Sequence, residues 1–249
     1  MNATELGIVL AVASLVLGII LWAIPREVIT NLLKKFSIQS HVEKLHLRTD
    51  FRIAIVDDEI DNYPIQYIKN LGFDVHTYES ASFADAQNLV KHDLLLLDVK
   101  GVIKEDLDEG GAKLIKIIKE ARPFIPVVAV SSGYFHTELN DYFRISDATV
   151  NKPIDEYKIR ELLCELKKEF FDALSIAKAI EDSIKKLDIS SSKKNQLNKS
   201  IIDFLSGKSS ENDFLSVIHM SAKGESQEII NNTKILLDRV QYDKSDYRK

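Results

Sequence analysis

Apolar spacing changes three times along the chain. From Leu6 to Ile24 no charged residue occurs. As a helix rising about 1.5 Å per residue, such a stretch nearly spans a hydrocarbon core of about 30 Å. Trp22 near its end suits a membrane interface, and Arg26, Lys34 and Lys35 follow the stretch while Glu5 precedes it. The pattern predicts a transmembrane helix over 1–25 of a single-pass, bacterial-type inner-membrane protein, with the N-terminus outside and the rest in the cytoplasm. A cleaved signal peptide fits less well, because no Lys or Arg precedes the stretch and no small-x-small site follows it. Residues 26–50 then carry Val28, Ile29, Leu32, Leu33 and Phe36 at helical spacing and read as a juxtamembrane connector.

Between 51 and 170 short apolar runs alternate with helical patterns. Strands are predicted over Arg52–Val56, Phe73–Tyr78, Leu94–Asp98, Val127–Val130 and Ala148–Val150. Helices are predicted over Ile65–Leu71, Ser82–Val90 and Gly111–Arg122, weakly over His136–Phe143, and from Asp155 onward, with Gly72 as a stop and Ser82 as an N-cap. Five strand–helix units argue for a doubly wound five-stranded parallel α/β sheet with right-handed crossovers. Beyond Phe171 no strand-like run remains. Helical spacing recurs in Ala173–Leu187, Leu197–Leu205, Phe214–Met220 and Ile229–Val240, so 171–249 is an all-α output or interaction region. No Gly or Pro lies between Pro153 and Gly207, which predicts that the last helix of the sheet domain runs on unbroken into that region. Its apolar faces must close over one another or pair with a second copy, as in a homodimer.

Composition narrows the function classes. The chain has 249 residues, is 45% hydrophobic and 29% charged, and so can bury a core. Its net charge of −5, with no evident basic recognition helix, argues against a nucleic-acid partner. The single cysteine, Cys164, excludes a disulfide within the chain. The six histidines lack zinc-ligand spacing, and no Gly-rich nucleotide loop occurs.

Candidate chemistry sits at strand ends. Three of the apolar runs end in Asp57-Asp58, Asp98 and Ser131, and the fifth is followed by Lys152-Pro153. In neighbouring parallel strands these groups converge on one edge of the sheet. Three carboxylates form an oxygen-only donor set suited to Mg²⁺ or Mn²⁺. The competing reading of Asp57-Asp58-Glu59 is turn and cap chemistry.

With Val56-Asp57-Asp58-Glu59, Leu97-Asp98, Val130-Ser131-Ser132 and Lys152-Pro153 in order, residues 51–170 resemble the response-regulator receiver domain, the phosphoacceptor module of two-component signalling. The resemblance implies a flavodoxin-like fold and a Mg²⁺ (or Mn²⁺) ion held by Asp57, Asp58, Asp98 and the carbonyl of Lys100. It further implies that Asp98 accepts a phosphoryl group, that Ser131 and Lys152 contact it, and that a histidine kinase or phosphotransfer protein is the donor. Such a protein would label itself from a phosphodonor rather than turn over a substrate. Three departures stand out. The loop Val102–Glu109 is long and acidic, Thr149 stands where the family often has an aromatic residue, and Lys100 stands two residues after the phosphoacceptor. The missing aromatic keeps a non-phosphorylated scaffold as the alternative function, ahead of a DNA-binding regulator.

Overall fold

The structure, a computed structural model, describes Ser14 and residues 35–132, 144–222, 224 and 226–246, with the backbone alone for 244–246. The chain divides into two compact units, Met1–Phe36 and Ser37–Lys249.

The second unit contains five strands, β1 Arg52–Val56, β2 Asp74–Tyr78, β3 Leu94–Asp98, β4 Val127–Ser131 and β5 Ala148–Asn151. All pair in parallel in the order β2-β1-β3-β4-β5, the flavodoxin-like order. The chain reverses its direction of winding between β1 and β3. A crevice therefore opens beyond the carboxyl ends of those two strands, where Asp57-Asp58 and Asp98 lie.

Strand alternation sorts the apolar runs into two layers. On one face Ala54, Val56, Leu95, Leu97, Val127 and Ala129 pack with Ala86 and Leu89 of helix α3 (Ala86–Leu89) and Leu114, Ile115 and Ile118 of α4 (Gly110–Ala121). On the other, Ile53, Ile55, Leu94, Leu96, Val128 and Val130 pack with Ile68 of α2 (Ile65–Asn70) and Ile159, Leu163 and Leu166 of α5 (Glu156–Leu166). Every residue of β3 is buried, which is why its sequence is continuous leucine rather than alternating.

A separate core joins α1 (Ile38–Glu43), α6 (Ala173–Lys186), α7 (Ser191–Leu205), α8 (Glu211–Ser221) and α9 (Ser226–Asp246). Ile38 and Val42, expected in a connector, are buried in this core. The C-terminal apolar faces thus close over one another within one chain. The predicted unbroken helix is corrected. After α5 a π-helical turn, Lys167–Phe171, ends at Asp172, whose backbone is extended and whose carboxylate accepts from Leu174 N and Ser175 N. A strong N-cap stops the helix without Gly or Pro.

Charged side chains fasten the helices to the amino-terminal edge of the sheet. Arg48 donates to both oxygens of Asp93, just before β3, and its backbone N–H and guanidinium face Asp243 of α9. Arg239 of α9 donates to Asp243 and to the Arg48 carbonyl, and its guanidinium lies 4.1 Å from the Phe171 ring centre. Arg122 bonds the carbonyls of Val90 and His92 and pairs with Asp238.

The expected single-pass inner-membrane placement is also corrected. Among the described residues no helix is long and apolar enough to cross a membrane. The longest of them, α9 with 21 residues, carries Glu228, Lys234, Asp238, Arg239 and Asp243, and such charges are costly in hydrocarbon. Of the uncharged stretch from Leu6 to Ile24, only Ser14 is described. The helix expected over His136–Phe143 lies outside the described residues.

Candidate phosphoacceptor site

Parallel register brings the strand ends level. Val56 pairs with Leu97, Asp98 with Val130, and Ser131 with Asn151. Asp57 therefore emerges beside Asp98, and Lys152 one step past the β4–β5 pair. Asp57, Asp58 and Asp98 each offer an oxygen within 4.8 Å of the others. Asp57 is fully buried and Asp98 nearly so, while Asp58 is exposed.

The Lys152 ammonium binds them together. Its Nζ donates to Asp57 Oδ1 at 2.8 Å and Asp98 Oδ2 at 2.5 Å, and reaches Glu59 Oε2 at 3.3 Å. Its side chain is only 4% exposed, so the attraction acts with little screening. The backbone N–H of Lys100 donates to the other oxygen of Asp98 at 3.2 Å. Lys100 itself is exposed. Burial pushes the Asp98 carboxyl above its ordinary range, against the pull of Lys152 and the Lys100 N–H. Burial pulls Lys152 down, but its bonds to Asp57 and Asp98 outweigh that and hold it well above the usual lysine range. The ammonium is thus charged at neutral pH and answers part of the negative charge of three carboxylates.

Three acidic oxygens with a net negative balance fit a hard divalent cation. Asp57, Asp58 and Asp98 are the residues that would hold it. Ser131 stands half-buried at the end of β4, and its carbonyl accepts from Lys152 N at 2.9 Å. Thr149 is exposed on β5. The long loop after Asp98 is tied down rather than splayed. Val102 and Ile103 are buried, and Ala81 N and Lys104 N bond the Val102 and Ala81 carbonyls. Gly101, at φ +80°, passes beside the Asp58 carboxylate.

No protein-family model matches the sequence, and no curated protein matches it. Among solved structures, the chain is similar to response-regulator receiver domains, each covering about half of it. A CheY-like receiver domain protein from Methanospirillum hungatei JF-1 has 25% identity over 49% of this chain and 99% of that one, with a TM-score of 0.39. The receiver domain of NtrX from Brucella abortus has 22% identity over 46% and 96%, with a TM-score of 0.38. The Vibrio cholerae chemotaxis protein CheY4 has 15% identity over 47% and 99%, with a TM-score of 0.38.

Three further residues contribute to the site. Tyr63, buried behind β1, donates its hydroxyl to Asp57 Oδ2 at 2.6 Å. Burial, reinforced by the neighbouring carboxylates, raises its phenol far above the ordinary value. Glu59 adds a fourth acid beside Lys152. Gly111 opens α4 against the strand end, where a Cβ would come within 2.3 Å of the Asp98 carbonyl oxygen. Gly111 carries a usable signal, since a glycine opening an amphipathic helix often marks close backbone approach. Tyr63 carries none, because it lies outside every periodic segment.

Proposed function

We propose that this chain is a divalent-cation-dependent phosphoacceptor whose Asp98 takes a phosphoryl group from a phosphohistidine on a histidine kinase or phosphotransfer protein. The observation that supports this best is one ammonium, Lys152, bridging Asp57 and Asp98 at the switch point of a parallel sheet. Asp57, Asp58, Asp98 and the Lys100 carbonyl would hold Mg²⁺ or Mn²⁺. The cation supplies neutralisation of charge on the transferring group. Asp98 supplies the nucleophilic oxygen. As its bond to phosphorus forms, the phosphorus–nitrogen bond of the donor breaks, and the imidazole keeps the electron pair and takes up a proton. Lys152 answers the negative charge left on the acyl phosphate, and the Ser131 hydroxyl donates to a phosphoryl oxygen. The signal passes on through protein–protein contacts of the receiver or the C-terminal helices.

Intact-mass measurement on the full chain with Mg²⁺ and acetyl phosphate tests the proposal. One added phosphoryl group is expected, not formed when a chelator replaces Mg²⁺ and absent from Asp98→Ala. Equal labelling of the wild type and Asp98→Ala would remove it. No labelling of either would favour the scaffold reading, which exposed Thr149 keeps open.

A further inference from the structure

The Asp57 carboxylate is held on both oxygens. Oδ1 accepts from Lys152 Nζ at 2.8 Å and from Glu59 N at 2.8 Å. The same ammonium reaches Asp98 Oδ2 at 2.5 Å, so Oδ1 is the Asp57 oxygen that Lys152 links to Asp98. Oδ2 accepts from the Tyr63 hydroxyl at 2.6 Å. Asp57 is completely buried and Tyr63 is 5% exposed, so water does not readily replace the phenol.

The backbone fixes where that phenol stands. A 3₁₀ turn, Ile60–Asn62, carries the chain from Asp57-Asp58-Glu59 to Tyr63, and Tyr63 N bonds the Ile60 carbonyl at 3.1 Å. Ile65 N bonds the Tyr63 carbonyl at 2.8 Å, and Ile154 N bonds the Asn62 carbonyl at 3.2 Å. The turn is therefore tied to the segment that delivers Lys152. The Tyr63 ring packs in the same core as Ile53, Ile55 and Ile154.

We infer that Tyr63 is a positioning residue for the divalent cation. Its hydroxyl pins Asp57 Oδ2, so that the carboxylate cannot rotate and presents Oδ1 alone to the acidic cluster. A carboxylate fixed in this way offers one ligand oxygen in one orientation. Without the phenol it would swing or turn both oxygens toward Lys152. Outer hydrogen bonds to ligating carboxylates commonly govern metal affinity. The inference rests on the cation site proposed for Asp57, Asp58 and Asp98.

The test is Mn²⁺ binding to the full chain, read from the loss of the free-ion EPR signal, for wild type, Tyr63→Phe, Asp58→Asn, Asp57→Asn and Asp57→Asn/Tyr63→Phe. Tyr63→Phe keeps the buried ring and removes only the hydroxyl. It is expected to weaken Mn²⁺ binding by about tenfold or more, at a temperature where circular dichroism shows the variant folded. In the Asp57→Asn background, where the pinned carboxylate is gone, Tyr63→Phe should change affinity by less than about twofold. A purely packing role would lower melting temperature and leave the affinity of the folded protein unchanged. Wild-type affinity in Tyr63→Phe would overturn the inference while leaving the cation site intact. So would a further tenfold loss in the Asp57→Asn background, and this pair decides alone if the single variant does not fold. Wild type that binds no better than Asp58→Asn would instead overturn the cation site, and the inference with it.

Discussion

Gly111 and Lys152 impose opposite demands on the carboxyl edge of the sheet. Gly111 lets α4 rest on the Asp98–Val99 backbone, with no room for a side chain. Gly111→Ala should push the helix and the strand end apart, costing about 1–3 kcal/mol in a urea titration and weakening Mn²⁺ binding. Unchanged stability and binding would mean that the helix yields freely. Lys152 instead supplies charge. Lys152→Met leaves Asp57 and Asp98 facing each other without their shared cation, which is destabilising for buried like charges. Its melting temperature should fall in chelator, and Mg²⁺ should restore more of it than it adds to the wild type. Equal Mg²⁺ shifts for both proteins would contradict the compensating role.

At the level of elements, local chemistry decides where helices stop. The break between α5 and α6 depends on Asp172, whose carboxylate takes two backbone N–H groups and the Ser175 hydroxyl. Asp172→Ala should cost about 1 kcal/mol of stability in a denaturant titration. A variant as stable as wild type would show that packing alone sets the break. This boundary is poorly legible in sequence, since Lys167–Leu187 keeps helical spacing throughout and an aspartate can equally sit on an exposed helix face. The strands are the opposite case. Leu94–Asp98 must be a buried parallel strand because nothing polar interrupts it before Asp98. The acids, the hydroxyl and the lysine at strand ends are legible for the same reason, as polar groups closing apolar runs. Tyr63 and Glu59 are not, because their roles arise from the fold of a loop around Asp57.

Over the whole molecule, the charged contacts lie at the sheet edge opposite the acidic site. Arg48, Asp93, Arg239 and Asp243 are nearly closed to solvent, and they link the sheet to the helical core through one network. Removing one partner from a buried pair strands its mate. Asp93→Ala should therefore cost about 3–5 kcal/mol. It should also split a single calorimetric transition into two, as the helical core and the sheet lose their coupling. One transition, shifted but unsplit, would show that apolar contacts alone join the two cores. The network holds the C-terminal helices at the amino-terminal edge of the sheet, opposite Asp57 and Asp98.

The most direct measurement of the central claim is reductive trapping. An acyl phosphate on aspartate is reduced by borohydride to the alcohol, leaving homoserine at the modified position. After incubation of the full chain with Mg²⁺ and acetyl phosphate, peptide mass spectrometry should find homoserine at position 98, and none when a chelator replaces Mg²⁺. Homoserine at another aspartate, or at position 98 regardless of Mg²⁺, would contradict the account.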